Sequence, residues 1–260
     1  MPRTNRLLLP GHIYHLTHRC HNGGFLLRFN NIRDQYRLRL WQSVRKFGIS
    51  ILNFCITSNH THILVIVHRP ARLSTFMRHL EGEFASRYNR LKHRRGAFWN
   101  ERYHATLVED GCHLWNCVHY IDLNMVRAGV IHHPIDWPWC GYQEVVGRRL
   151  RYKILDMDEL LRLSGQSDPK MFASWYGIGL DHALKKANGR QAFWTESIAV
   201  GSEGFVRSIA KSSIKRKRLV YKKASEDHWY VCESVESYSP SNVRDSMSKL
   251  CLKAKKPMIF

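Results

Sequence analysis

No stretch of this 260-residue chain is apolar for long enough to cross a bilayer, which argues against a membrane-spanning helix. The N-terminus offers only three leucines in a row, Leu7, Leu8 and Leu9, before Pro10. That is too short for a signal peptide, so the expectation is a soluble cytoplasmic protein with no membrane partner. Acidic residues are scarce. The chain has 21 Asp and Glu against 41 Lys and Arg, a formal net charge of +20. Such an excess repels itself in the compact state and attracts polyanions, nucleic acid first among them. Cysteine pairing is also missing. Cys20, Cys55, Cys112, Cys117, Cys140, Cys232 and Cys251 are odd in number and never spaced C-x-x-C, which fits reduced thiols rather than a disulfide framework or a zinc knuckle. No internal repeat is visible, so a β/α barrel is excluded. What remains is 44% hydrophobic, enough for a sizeable core.

Residues 12–20, "HIYHLTHRC", alternate as a strand. Residues 31–48 place Ile32, Tyr36, Leu40, Val44 and Phe47 at helical spacing, with Gly48 as the stop. Residues 49–57 read as a second strand and 60–67 as a third. Residues 73–96 read as a long basic helix capped by Ser74. Residues 102–110 read as a fourth strand, and 111–129 as a helix ended by Gly129. The order β-α-β-β-α-β-α predicts an α+β fold of ferredoxin-like type, an antiparallel sheet with helices on one face and the other face free for nucleic acid. Beyond it, "DMDELLRLSG", a segment capped by Asp168 and Pro169, and a basic segment near 200–223 read as helices. The predicted division is 1–148 as the main domain, 149–224 as a basic helical C-terminal region, and 225–260 as a polar tail.

The stretch "TSNHTHILVIV" carries the first chemical signal. Alternation in a strand sends His60 and His62 to one face and Thr61 to the other. Two imidazoles on one face can share a cation, although a solvated strand end with two ordinary histidines fits the tripeptide as well. The second signal is on the helix at 111–127. Leu114, Val118, Ile121 and Met125 form its apolar stripe, and Tyr120, Asn124 and Arg127 form a second stripe beside it. Tyr120 is either an amphipathic packing residue or a nucleophile, with Asn124 one turn on able to offer its carbonyl oxygen.

Several blocks together carry a resemblance. "SNHTHILV", "FWNERYHATLVED", "YIDLNMVRAGVI" and "DWPWCGY" occur here in the order and at the spacing of the HUH single-tyrosine DNA transposases, and the chain resembles their REP-associated tyrosine transposase branch. "AVGSEGFVRSIAK" resembles a further, shorter block. The sequence departs from the family pattern at Thr61, normally apolar, at Thr57 and Ser58, normally Met-Pro, and at Met125, normally proline.

The resemblance implies an HUH endonuclease fold and a metal-dependent enzyme that cleaves and rejoins single-stranded DNA at palindromic repeat hairpins. The implied intermediate is a 5′-phosphotyrosine, with a free 3′-hydroxyl on the other product. It assigns the nucleophile to Tyr120, the metal ligands to His60, His62 and Asn124, and the cofactor to Mg²⁺ or Mn²⁺. Two imidazoles favour Mn²⁺ on ligand hardness. The expected partner is single-stranded DNA carrying hairpins, bound by a monomer or homodimer that is nucleoid-associated when bound. The predicted DNA-binding residues are Arg127 and three basic runs: Arg90, Lys92, Arg94 and Arg95; Arg148, Arg149 and Arg151; and Lys215, Arg216, Lys217 and Arg218. Trp139 and Tyr142 are candidates for base stacking, with core packing the commoner role for Trp139. The alternative reading is a non-catalytic DNA-binding or regulatory protein that keeps the fold.

Overall fold

The computed structural model describes residues 6–186, 189–212, 219–225 and 228–233. Four strands form the first half of the sheet: β1 (His12–Arg19), β2 (Ser50–Ile56), β3 (His60–Val67) and β4 (His104–Val108). They lie in the order β2-β3-β1-β4, all antiparallel, which is the split βαβ arrangement expected from the sequence. Helices α1 (Asn30–Phe47) and α2 (Pro70–Leu91) cover one face. Their buried Tyr36, Leu40, Leu80 and Phe84 join Tyr14 and Leu16 of β1 in the core. Gly48 ends α1 in the left-handed conformation at φ 57°, where a side chain would be strained.

The start of α2 differs from expectation. Pro70 occupies its first turn and Arg69 its N-cap, four residues and more before Ser74. Proline fixes φ at a helical value and lacks the N–H that a first turn leaves unbonded, so it sets the start. The helix ends at Leu91, leaving Lys92–Arg95 beyond it.

The second face is not free. Helix α3 (Cys112–Asp122) lies across it, because its apolar stripe of Leu114, Val118 and Ile121 has to be buried. Asn53 of β2, placed just after a β-bulge, donates from Nδ2 to the Val118 carbonyl at 3.1 Å and to Asp122 Oδ1 at 3.0 Å. The predicted single helix 111–129 is also interrupted: Leu123 leaves helical geometry at ψ 6°, and α4 (Asn124–Arg127) starts afresh. Met125, where the resembled pattern has proline, is buried in the core.

After α5 (Tyr142–Val145), helices α6 (Met157–Ser164) and α7 (Pro169–Lys185) form as expected, with Asp168 capping α7 by accepting from the N–H groups of Lys170 and Met171. Gly179 of α7 packs so closely on α3 that a Cβ there would sit 2.7 Å from the His119 ring. Tyr176 donates its hydroxyl to Asp122 Oδ2, so α7 holds α3 by a buried hydrogen bond. Tyr176→Phe leaves a buried carboxyl short of one donor. It should cost about 1–3 kcal/mol, checked by urea unfolding; an unchanged stability would show that the bond holds nothing.

The C-terminal region also supplies strands. After α8 (Phe193–Glu196), β5 (Ala199–Gly201) pairs parallel with β4. After α9 (Glu203–Ser212), β6 (Leu219–Lys223) and β7 (Trp229–Glu233) complete a seven-stranded sheet in the order β2-β3-β1-β4-β5-β7-β6. The sequence reading gave 219–223 to a helix and 229–233 to the tail. Burial decides otherwise, since Val231 is fully enclosed where β7 pairs with β5. Lys215, Arg216, Lys217 and Arg218, like the tail from 234, lie outside the described residues. Among those described, no helix is long and apolar enough to cross a membrane, and all six cysteines are free thiols.

Candidate active site

Pairing between β1 and β3 sets Thr17 opposite His62 and Arg19 opposite His60. Paired residues point to the same face, so these four side chains gather on the α3 side at one end of the sheet. There they line a pocket of about 200 Å³ with Tyr120, Asn124, Arg127 and Arg190. Thr61 faces the other way, beside its partner His18. The residues singled out as nucleophile and ligands therefore converge on one cavity.

Hydrogen bonds fix the tautomers of both histidines. The Asn59 amide donates from Nδ2 to the Gly23 carbonyl at 3.3 Å, which turns its Oδ1 to His60 Nδ1 at 2.7 Å. Thr57 donates its hydroxyl to the His60 carbonyl and so can only accept from Nδ1, 3.0 Å away. His60 Nδ1 thus carries its proton and Nε2 keeps a lone pair. Thr57, one of the departures from the family pattern, supports the histidine it precedes.

For His62 the chain of bonds is longer. The Trp194 carbonyl accepts from His15 Nδ1 at 2.8 Å. His15 Nε2 must then accept from His62 Nδ1, also at 2.8 Å. This leaves His62 Nε2 with a lone pair, and Asn124 Nδ2 donates to it at 2.9 Å. Burial, followed by nearby positive charge, lowers the pKa of His60 to about 4 and that of His62 well below its usual value. Both rings are neutral at pH 7, as metal ligands must be.

This donor set fits a divalent cation. Two imidazole lone pairs enter the pocket, and rotation of the Asn124 amide would bring its oxygen in place of its nitrogen. Two neutral imidazoles and an amide make this donor set uncharged. Arg19, Arg127 and Arg190 add positive charge around it. A cation here needs an anion beside it.

Tyr120 is 6% exposed. Its ring lies beneath the Arg127 guanidinium at 4.0 Å, and Arg127 Nη2 donates to the Tyr120 carbonyl at 2.6 Å. Burial raises the phenol pKa and Arg127 offsets part of that. The ring centroid is 6.1 Å from that of His62.

The basic runs are dispersed. Arg90, Lys92 and Arg95 are exposed at the end of α2, where Lys92 Nζ is 5.6 Å from the centre of the Phe29 ring. Arg148 and Arg151 are exposed beyond α5. Arg94 and Arg149 are engaged internally, Arg94 with Asn89 Oδ1 and the Ala97 carbonyl and Arg149 with the Pro138 carbonyl. Trp139 and Tyr142 are buried, which leaves neither free to stack a base; Trp139 donates its Nε1–H to Asp34 Oδ1.

Sequence reasoning missed Arg19, Arg190, His15 and Trp194. The first and third had a readable signal, because His15, Thr17 and Arg19 alternate on one strand face. Arg190 and Trp194 had none, being brought in by the C-terminal region.

The chain is similar to several known proteins. Residues 9–124 match the family described as transposase IS200-like. A protein of Haemophilus influenzae named as a REP-associated tyrosine transposase is 28% identical over 127 residues, covering 45% of this chain and 70% of that protein. Two solved structures are also similar. One, described as the REP-associated tyrosine transposase bound to a REP hairpin, has a TM-score of 0.48 at 18% identity, covering 57% of this chain and 87% of the other. The second, a transposase from Deinococcus radiodurans, has a TM-score of 0.32 at 17% identity, covering 41% and 86%.

Proposed function

We propose, from the match of residues 9–124 to the IS200-like transposase family, that the protein is a metal-dependent single-strand DNA endonuclease and strand transferase acting at palindromic repeat hairpins. The observation that carries this reading is the convergence of Tyr120, Asn124 and two Nε2-presenting histidines on one pocket. Residues 1–148 are the proposed catalytic unit, and single-stranded DNA with hairpins is the proposed partner.

Tyr120 Oη attacks the scissile phosphorus in line. The P–Oη bond forms, the P–O3′ bond breaks, the phenolic proton passes to solvent, and the leaving 3′ oxygen takes one up. The ester is conserved, so a second 3′-hydroxyl can reverse the step and join strands without ATP. His60, His62 and Asn124 would hold Mn²⁺ or Mg²⁺. A divalent ion bound there would supply Lewis-acid polarisation of the phosphoryl oxygen and neutralise developing charge. Arg127 orients Tyr120 from above the ring and draws its pKa down. Arg19 and Arg190 line the space where the phosphodiester would lie. The exposed Arg90, Lys92, Arg95, Arg148 and Arg151 supply sequence-independent phosphate contacts. The test is a protein–DNA species that survives boiling in detergent after incubation with single-stranded hairpin DNA and the ion.

A second reading, a non-catalytic DNA binder, draws on the burial of Tyr120, which makes its phenol harder to ionise. Absence of any adduct on repeat-derived hairpins would favour it.

His15 is a positioning residue in this scheme, since it fixes the His62 tautomer. His15→Ala should weaken Mn²⁺ binding in the presence of DNA by about 10–100-fold, as measured by the paramagnetic resonance of free ion. Unchanged affinity in a folded variant would show that His62 does not need this support.

A further inference from the structure

Helix α2 carries a glycine near its middle, Gly82. A mid-helix glycine costs about 1 kcal/mol relative to alanine. Nothing lies within 4 Å of where its Cβ would stand, so the chain's own packing does not call for it. In front of it is a second pocket, of about 420 Å³, on the opposite face of the sheet from the catalytic one. The two are back to back across the end of β1. His18 lines the second, while the next residue, Arg19, points the other way and lines the first.

The chemistry of this pocket is specific. Trp99, only partly buried, supplies an aromatic wall, and Gly82 and Ala85 leave an apolar helix surface. The buried Glu81 holds one carboxyl oxygen on His18 Nδ1 at 2.5 Å. Glu81 itself lines the pocket, where burial raises the pKa of its carboxyl. His18 donates Nε2–H to the Glu101 carbonyl and stacks on Trp99 at 4.3 Å, so the pair is held in place. Arg78 and Arg102 are exposed at the rim, and Arg6 lies 3.7 Å over the Tyr103 ring. An aromatic wall, an acceptor on the floor and arginines at the rim match the three parts of a nucleotide: base face, base edge and phosphate.

We propose that this pocket takes one unpaired base of the DNA substrate, and that Glu81 selects a base carrying an exocyclic amino group over thymine. The inference rests on the DNA-processing function proposed above and adds a specificity site to it. With one oxygen committed to His18, the other oxygen of Glu81 accepts from an amino group wherever the shared proton sits, whereas thymine turns carbonyl oxygens to it on both sides of its one ring N–H.

The test uses the full chain and hairpins whose single-stranded flank is all thymine except for one adenine, cytosine or guanine moved through each position. Wild type should show one position where an amino-bearing base lowers Kd roughly tenfold. Replacing adenine by purine, or guanine by hypoxanthine, at that position should lose the gain. Gly82→Leu fills the pocket, should melt no lower than wild type, and should bind all flanks as it binds thymine. Indifference of wild type to the flank base, or discrimination that survives in Gly82→Leu, overturns the proposal. The analogue comparison needs wild type alone, so it decides the matter even where Gly82→Leu does not fold. Adduct formation on the same DNAs is scored separately. Its absence sinks the nuclease reading, while adducts formed without base discrimination sink the pocket alone.

Discussion

Tyr120→Phe will bind hairpin DNA and the divalent ion, and it will form no covalent adduct. The substitution removes one oxygen and almost no volume. The ring keeps its place beneath Arg127, because that contact is to the face of the ring and the Arg127 hydrogen bond is to the backbone carbonyl. If the phenol is the nucleophile, adduct formation should fall by on the order of 10³-fold or more, while Kd for the hairpin stays within a few-fold. Peptide mapping of the wild-type adduct should place the nucleotide on Tyr120. The competing tyrosines are badly placed for this chemistry. Tyr103 lines the pocket on the other face of the sheet, and Tyr142 is packed against His133 and Tyr176. An adduct on either of them, or one still formed by Tyr120→Phe, would overturn the assignment.

His62→Ala should abolish cleavage while leaving most DNA affinity, since the arginines and lysines proposed to contact phosphate lie on other elements. Loss of the ion removes several kcal/mol of charge stabilisation, on the order of 10³-fold in rate. Chelation of wild type should do the same, and Mn²⁺ should restore wild type and not the variant. The neutral ligand set adds a further expectation: Mn²⁺ should bind more tightly with DNA present than without it, because the pocket brings arginines and two neutral imidazoles but no carboxylate to the cation. Cleavage that continues unchanged in EDTA would remove the metal from the mechanism.

Much of the site was legible because its signals are local. A strand alternates with period two, so His60 and His62 had to share a face wherever the strand lay. A helix repeats near four residues, so Tyr120 and Asn124 had to be neighbours even though Leu123 breaks the helix between them. The basic balance of the chain pointed to a polyanion without any fold at all. Other features depend on which elements meet. The second sheet face was expected to be open, yet the apolar stripe of α3 had no other place to be buried. Trp139 and Tyr142 read as possible stacking residues, and packing enclosed both.

The sequence by itself determined the strand and helix order of the first half, the same-face histidine pair, the tyrosine one turn from Asn124, and the attraction to polyanions. All follow from the periodicity of single elements or from summed charge. Only the tertiary structure decided that His62 presents Nε2, because that rests on a carbonyl 179 residues from His15 in the chain. It alone joined β5, β7 and β6 to the sheet, and it alone opened a pocket before Gly82. The physical reason is common to these cases. Hydrogen-bond partners and cavities are set by the long-range burial of apolar faces against one another, and no local period in a sequence records which faces those will be.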